Sequence, residues 1–544
     1  MMSASPNQPP PFEGRNLLAI DVALQSAVER HGAAWSMREL SEWGAALGTP
    51  ESYALADAAN RNPPVLRAFD RRGERVDEVA FHPAWDALMR LAMAAGEHCA
   101  PWRTRRPGAQ VARAAMYYLH AQVENGTQCP LTMTYACVPV LQRYAHTLPG
   151  ATQAWLPRIF AGEYDPRALP IEHKRSALVG MGMTERQGGS DVRANSTRAE
   201  PDGDGAWRIT GHKWFFSAPQ CDGHLVLAQT GEGLGCFLMP RVLPDGSRNA
   251  IRIDRLKDKL GNRSNASSEV QFDAALAWSV GPADRGIATI LEMVQYTRLD
   301  CVIGSAGMLR AAASWALHHA RHRLAFGHRL VEHPLMASVL ADLALESEAA
   351  MWLALRLART CEDEADEATR AVARIVTPAA KYWVCKRAIA GAAEAMEVLG
   401  GNGYVEEQPL ARLFREAPVN SIWEGSGNVV CLDVARAMRK EPDAVDILLD
   451  EFRSAHGANT ALDAHAALLE RLLRDDAHAS DARRVAQAIA LGVCALELVR
   501  HAPAFVADAF CASRLAPGPF TGAAFGTLPA ATDAARIAAR ALAG

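Results

Sequence analysis

Lysine is scarce in this chain, with 7 residues against 50 arginines in 544, and the net charge is only −4. Such a balance gives no global electrostatic reason to expect a polyanionic partner. The eleven cysteines run from Cys99 to Cys511 without one C-x-x-C pair, which argues against a zinc site or a disulfide frame. His318 and His322 lie one helical turn apart, but no H-E-x-x-H pattern or neighbouring acid accompanies them, so no metal is expected. There is no P-loop, and no G-x-G-x-x-G stands between a strand and a helix. Long apolar runs are missing too. The longest, Val485–Leu496, is flanked by Arg484 and Glu497 and is too short to span a bilayer. The start, MMSASPNQPPPFEG, has neither a basic region nor an apolar core of the signal-peptide kind. The expectation is a cytoplasmic protein with no membrane partner.

What is present is a long, half-apolar chain too large for a single core. Up to about residue 180 the pattern is helical: Asn16–His31, Ser36–Leu47, Pro83–Ala95 and Gln110–Val123 carry apolar residues at three-and-four spacing. Within CPLTMTYACVP (Cys129–Pro139), Thr132 and Thr134 suit either a ligand face or a buried helix. From Met181 to about Pro282 short β-branched and aromatic runs alternate with turn clusters: Trp207–Thr210, Lys213–Ser217, His224–Gln229, Cys236–Val242, Ala250–Leu256 and Ser268–Phe272. Helical pattern then returns in Ile287–Arg298, Ser305–Arg323, Pro334–Arg359, Ala368–Leu399 and Asn428–Lys440, with Pro378 expected to kink or break the fourth. An alanine-rich helical block follows, interrupted by the Pro- and Gly-containing loop Leu515–Thr527. The expected fold is α+β and multidomain. It comprises an N-terminal helical domain (1–180), a small antiparallel β domain (181–282), a helical bundle (283–440) and an extra C-terminal helical domain (441–544).

Four segments carry chemistry. In FREAPVNSIWEGSGNVV (Phe414–Val430), Glu424 stands before the turn-forming run Gly425–Asn428, and a helix with Val430, Val434 and Met438 on one face follows. Phe414, Ile422 and Trp423 would desolvate that carboxylate and raise its pKa toward that of a general base. An acid that merely offsets a helix dipole fits the same stretch. In MGMTERQGGSDVRANST (Met181–Thr197), Thr184 and the run Gly188–Ser190 offer hydroxyls and backbone N–H groups. The strand segment Lys213–Ser217 adds flat aromatics, a set suited to a ring rich in heteroatoms such as a flavin; a plain β-turn is the alternative. Arg323, before Phe326-Gly327, can pair with a diphosphate or simply balance a helix C-terminus. Gly400-Gly401-Asn402-Gly403 is a helix stop whose glycines also allow close backbone approach.

In this order, T-E-x-x-x-G-S-D (Thr184–Asp191), W-F-F-S (Trp214–Ser217), R-x-x-F-G (Arg323–Gly327), L-G-G-x-G-Y (Leu399–Tyr404) and E-G-S-G-N (Glu424–Asn428) resemble the acyl-CoA dehydrogenase family of FAD flavoproteins. Leu256–Val270 and Asn420–Arg436 look more narrowly like its AidB branch, associated with the bacterial response to DNA alkylation. The resemblance implies that Glu424 removes the α-proton of an acyl-CoA thioester while the β-hydride passes to the flavin. It implies FAD contacts from Met181, Thr184, Gly189, Ser190, Phe215, Phe216, Ser217, Ile422 and Asn428, with Arg323 and Gly401 serving the diphosphate and adenosine. It also implies a homotetramer, and double-stranded DNA as a possible partner of residues 441–544. That segment nevertheless holds nine arginines, no lysine and thirteen acids. Family members usually have E-P-x-A-G-S-D where Glu185–Asp191 stands, E-G-T at Glu424–Ser426 and F-Q near His333-Pro334. These departures imply weak turnover of ordinary acyl-CoAs. The alternatives are a non-catalytic flavin protein that shields duplex DNA, and an ordinary catabolic dehydrogenase of short or branched acyl-CoAs.

Overall fold

The computed structural model describes residues 7–146, 148, 154–474, 479–516 and 524–543, so the centre of the loop expected at Leu515–Thr527 lies outside the described residues. The chain forms two compact units, one of residues 54–105 and 124–297, the other of residues 1–53, 106–123 and 298–544.

The first unit is built on strands. A hairpin of β1 (Val65–Phe69) and β2 (Arg75–Ala80) lies inside the stretch expected to be helical. Its turn explains the difference: Asp70 accepts hydrogen bonds from the Arg72 and Glu74 backbone N–H groups at 2.8 and 2.9 Å, and Gly73 takes φ +82°. Seven further strands follow: β3 (Val179–Gly182), β4 (Arg198–Pro201), β5 (Ala206–Ser217), β6 (Gly223–Gln229), β7 (Leu234–Pro240), β8 (Ile251–Leu256) and β9 (Ser267–Ser279). Pairing runs β6–β4–β5–β9–β7 and returns to β6, with β3 added outside β6 and β8 outside β9. The ring leaves few open edges. Its interior is filled by Ile209, Phe216, Val226, Phe237, Val270 and Phe272.

Two expectations for this region need correction. Trp207–Thr210 and Lys213–Ser217 are a single strand, β5, because both halves pair with β9. The sheet is also not wholly antiparallel, since β3 and β4 each run parallel to β6. Thr134 takes the bland reading. It is fully buried in helix Gln128–Arg143, donating to Pro130 O at 2.7 Å and accepting from Val179 N at 3.0 Å, so it ties β3 to that helix.

The second unit is helical. The two segments expected at 287–298 and 305–323 are one helix, Gly286–His322, whose later part lies in this unit. Pro334–Arg359, Glu367–Val398, Pro409–Asn420 and Gly427–Lys440 follow, and then Pro442–Arg453, Thr460–Arg474, Ala482–His501, Ala504–Arg514 and Ala534–Ala541. Helix Glu367–Val398 runs through Pro378, so the break that was one expected outcome does not occur. The lost backbone hydrogen bond and ring clash cost about 3 kcal/mol. Here that is offset by burial on both sides of the proline, from Ile375, Val376, Ala379 and Ala380. The first helix begins at Val22 rather than Asn16, because Asp21 caps it by accepting from Leu24 N at 3.0 Å. Buried Arg514 binds Asp342 and Glu346, fastening the C-terminal helices to Pro334–Arg359. Among the described residues no helix is long and apolar enough to cross a membrane.

Candidate active site

Glu424 sits in the short connection between helices Pro409–Asn420 and Gly427–Lys440, with Ser426 as the N-cap of the second. Its φ is +56°, a left-handed backbone that costs a non-glycine residue of order 1–3 kcal/mol unless the surroundings impose it. The surroundings do impose it. Lys381, only 1% exposed, donates to the carbonyl of Trp423 at 2.7 Å and to that of Gly425. Arg298 donates from Nε to the carbonyl of Glu424 itself at 2.9 Å and pairs through its terminal nitrogen with Asp433 at 2.5 Å. Two cations thus hold three consecutive carbonyls. The turn is closed from below by Trp423, whose Nε1 donates to Asn420 Oδ1 at 2.9 Å, while Asn420 donates to Ser305 Oγ at 3.1 Å. A carboxylate on a braced turn needs little reorganisation when it acts.

Removing the brace should show this. Lys381→Met is expected to leave two part-buried carbonyls without their donor and to lower turnover about 100-fold. Flavin content per chain, read from absorbance, should stay near that of the parent.

Among the other residues expected in this unit, Ile422 is 63% exposed on the same turn. Asn428 is exposed as well, but its Oδ1 accepts from Arg483 Nε at 2.8 Å. Arg323 donates to the carbonyl of Asn7 at 2.6 Å, and Asn402, next to Gly401, donates to Gln8 at 3.3 Å. Arg323 and Gly401 are therefore linked through one short N-terminal segment. Gly401 has open space where a side chain would stand. His318 contacts Pro10 O at 2.7 Å and His322 contacts His318 O at 2.8 Å, so both imidazoles have backbone partners.

In the strand-built unit, Thr184, Gly189 and Ser190 share one loop. A Cβ at Gly189 would lie 2.4 Å from Thr184 Oγ1, so only glycine permits that hydroxyl to lie against the exposed turn. The loop is anchored by Glu185, buried beneath it. Glu185 accepts from Lys213 Nζ at 2.9 Å, from Ser196 N and Oγ at 2.6 and 2.8 Å, and from Thr197 N at 3.1 Å. Burial pushes its carboxyl up, but the Lys213 ammonium and these hydrogen bonds overcome that and hold it down at about 2.

Strand β5 carries a bulge. Lys213 pairs with Val270 and Phe216 with Ser268, so β5 has one residue more than β9 across that span. Bulges re-aim side chains, and this one leaves Phe215 53% exposed while Phe216 is fully buried. Phe216 stacks on His224 at 4.1 Å and meets Phe272 at 5.9 Å, so its ring belongs to the core and cannot face a ligand. Met181 is likewise buried in β3. Ser217 Oγ lies 3.3 Å from Ser267 Oγ. Hydroxyls at 184, 190 and 217, a glycine-gated turn and one exposed flat ring form a donor set that fits a flavin.

Lys213, Lys381 and Arg298 carry the local architecture, yet only Lys213 drew notice in the sequence, as part of a strand. A signal was available. With so few lysines, one embedded in an apolar helical run, as Lys381 is between Ala379-Ala380 and Tyr382, marks a charge committed to a specific partner.

Comparison with known proteins agrees with this geometry. Residues 180–275 and 284–439 match the middle and C-terminal domains of acyl-CoA dehydrogenases, and the chain belongs to that family of FAD-dependent oxidoreductases acting on CH–CH bonds. Residues 7–166 match the N-terminal domain of the adaptive response protein AidB. The chain is 49% identical over 506 residues to the putative acyl-CoA dehydrogenase AidB of Escherichia coli (strain K12), covering 93% of each, which sets it in the AidB branch. It is 30% identical over 419 residues to acyl-CoA dehydrogenase family member 11 of Caenorhabditis elegans, covering 73% of this chain and 66% of the worm protein. The structure of C. elegans ACDH-11 in complex with C11-CoA superposes with a TM-score of 0.84 at 25% identity, covering 94% of this chain and 92% of that one.

Proposed function

We propose that the chain is an α,β-dehydrogenase of acyl-CoA thioesters, working in the cytoplasm, with Glu424 as the base that removes the α-proton. The observation that carries this reading is the turn itself: a non-glycine residue with left-handed backbone, its carbonyl and both neighbouring carbonyls held by Arg298 and Lys381. Strain maintained by that many partners is characteristic of a positioned functional group. FAD, when bound, supplies the two-electron acceptor. Thr184, Gly189, Ser190, Phe215 and Ser217 would hold it. The C11-CoA bound by the ACDH-11 relative supports a CoA thioester as substrate. The adaptive-response protein family matched over residues 7–166 supports a part in an adaptive response, which we read as that to DNA alkylation, and the departures at Glu185–Asp191, Glu424–Ser426 and His333-Pro334 support weak turnover of common acyl-CoAs. A ferricenium assay across straight and branched acyl-CoAs tests this; no turnover with any chain would overturn it.

We further propose a homotetramer. Phe326, Leu335 and Tyr404 are at least four-fifths exposed on the single chain, an unusual state for large apolar side chains. Light scattering should return a tetramer's mass.

The rival reading has residues 441–544 binding duplex DNA. Among the described residues six arginines there are paired with acids: Arg453 with Asp450 and Glu470, Arg474 with Glu470 and Asp446, Arg484 with Asp481, Arg500 with Glu451, Arg514 with Asp342, and Arg540 with Glu348. Paired arginines release few counterions from DNA. A gel shift in about 150 mM salt is expected to show no retarded duplex. A salt-sensitive shift lost on deleting residues 441–544 would favour the rival.

A further inference from the structure

Apart from the Glu424 turn, the helical unit contains a cavity of about 680 Å³, bounded by the end of helix Pro334–Arg359, the start of Glu367–Val398, and helices Pro442–Arg453 and Ala482–His501. That volume lies within the range of small-molecule sites. The apolar part of the lining is formed by Leu357, Val372, Ala373, Val376 and Ile447.

The polar part of the lining is incompletely satisfied. Glu497, 3% exposed, gives Oε1 to Arg356 at 2.8 Å. Its other oxygen, Oε2, has no hydrogen-bond partner; His31 Nε2 stands 3.7 Å away and His501 Nε2 3.8 Å away. Those separations are too long for hydrogen bonds. His31, itself 7% exposed, also leaves Nε2 without a partner, and burial pulls it down to about 4, so at neutral pH it brings no charge to Glu497. Arg356 and Arg500 are both committed to Glu451. Arg359 acts on His31 and Arg30 on His501, so both lie toward these histidines, and Glu362, Glu364 and Asp366 complete the charged lining. Burial pushes Glu362 up to about 7, so the balance there lies between neutral and one negative charge. A buried carboxylate oxygen lacking a donor is costly, and a ligand that donates to it removes the cost.

We propose that this cavity binds a small organic amine, its ammonium donating to Glu497 Oε2 and its apolar body lying against Val372, Ala373 and Val376. The inference does not depend on the dehydrogenase reading. An acyl-CoA or another anion would place its charge against the free carboxylate oxygen, so the site is distinct from one for the proposed substrate.

The test is isothermal titration of the purified full-length, flavin-loaded protein at neutral pH with benzylamine, benzyl alcohol and benzoate. Benzylamine is expected to bind saturably, benzyl alcohol roughly tenfold more weakly for want of a charged donor, and benzoate not at all. Glu497→Gln should erase the preference for the amine. Ala373→Phe, which adds a ring to the apolar lining, should abolish binding of benzylamine and benzyl alcohol with flavin content unchanged. No binding of benzylamine up to ~10 mM, equal binding of benzoate or benzyl alcohol, or undiminished binding to Ala373→Phe would each overturn the proposal.

Discussion

Glu424→Gln is expected to lower acyl-CoA turnover about 10³-fold, the scale of losing a positioned general base, while the protein keeps its FAD. The substitution is nearly isosteric, and Arg298 and Lys381 donate to three backbone carbonyls of the turn that it leaves in place. The left-handed backbone and the helix that follows should therefore persist, and only the proton acceptor is lost. Flavin absorbance per chain separates the outcomes. Loss of turnover with full flavin content assigns the base. Retained turnover means that another group takes the proton, and loss of flavin together with turnover would mean that Glu424 shapes the site rather than acting in it.

The second large effect concerns stability. Lys213→Met should destabilise the strand-built unit by about 3–5 kcal/mol, because it strands the buried Glu185 carboxylate without its countercharge. Lys213 also donates to Leu227 O at 2.8 Å, so β6 would lose a support as well. The pair has a pH signature. The folded-state pKa of Glu185, about 2, lies below the ordinary 4.5, so the unfolded chain takes up its proton first as pH falls. The stabilisation is complete above about pH 4.5 and is lost progressively down to about pH 2. Denaturant titrations at pH 7 and pH 3.5 should show the parent losing more stability than Lys213→Met does, since the variant no longer holds its carboxyl low. Equal losses would mean that the ion pair does not set the acid limit.

Most of the helical architecture was legible because its apolar spacing is regular: Pro83–Ala95 and Pro334–Arg359 have the expected ends. The hairpin β1–β2 was not, since its strands are short and largely unburied and its turn depends on one aspartate side chain. Helix Glu367–Val398 was expected to kink or break at Pro378; the break does not occur, because packing along the helix outweighs the local rule. At the site, Glu424 stood out because a carboxylate beside Gly-Ser-Gly is conspicuous. Phe216 was misread because W-F-F-S does not reveal a bulge, and the bulge decides which phenylalanine turns outward. Arg298 and Lys381 could not be paired with the turn from sequence, lying 126 and 42 or more residues from the carbonyls they hold.

The most direct test is an anaerobic titration of the purified protein with a branched short-chain acyl-CoA, followed at the flavin band near roughly 450 nm. The account predicts a yellow protein whose band bleaches with the parent and does not bleach with Glu424→Gln. A colourless protein that takes up no FAD, or equal bleaching in both, would contradict it.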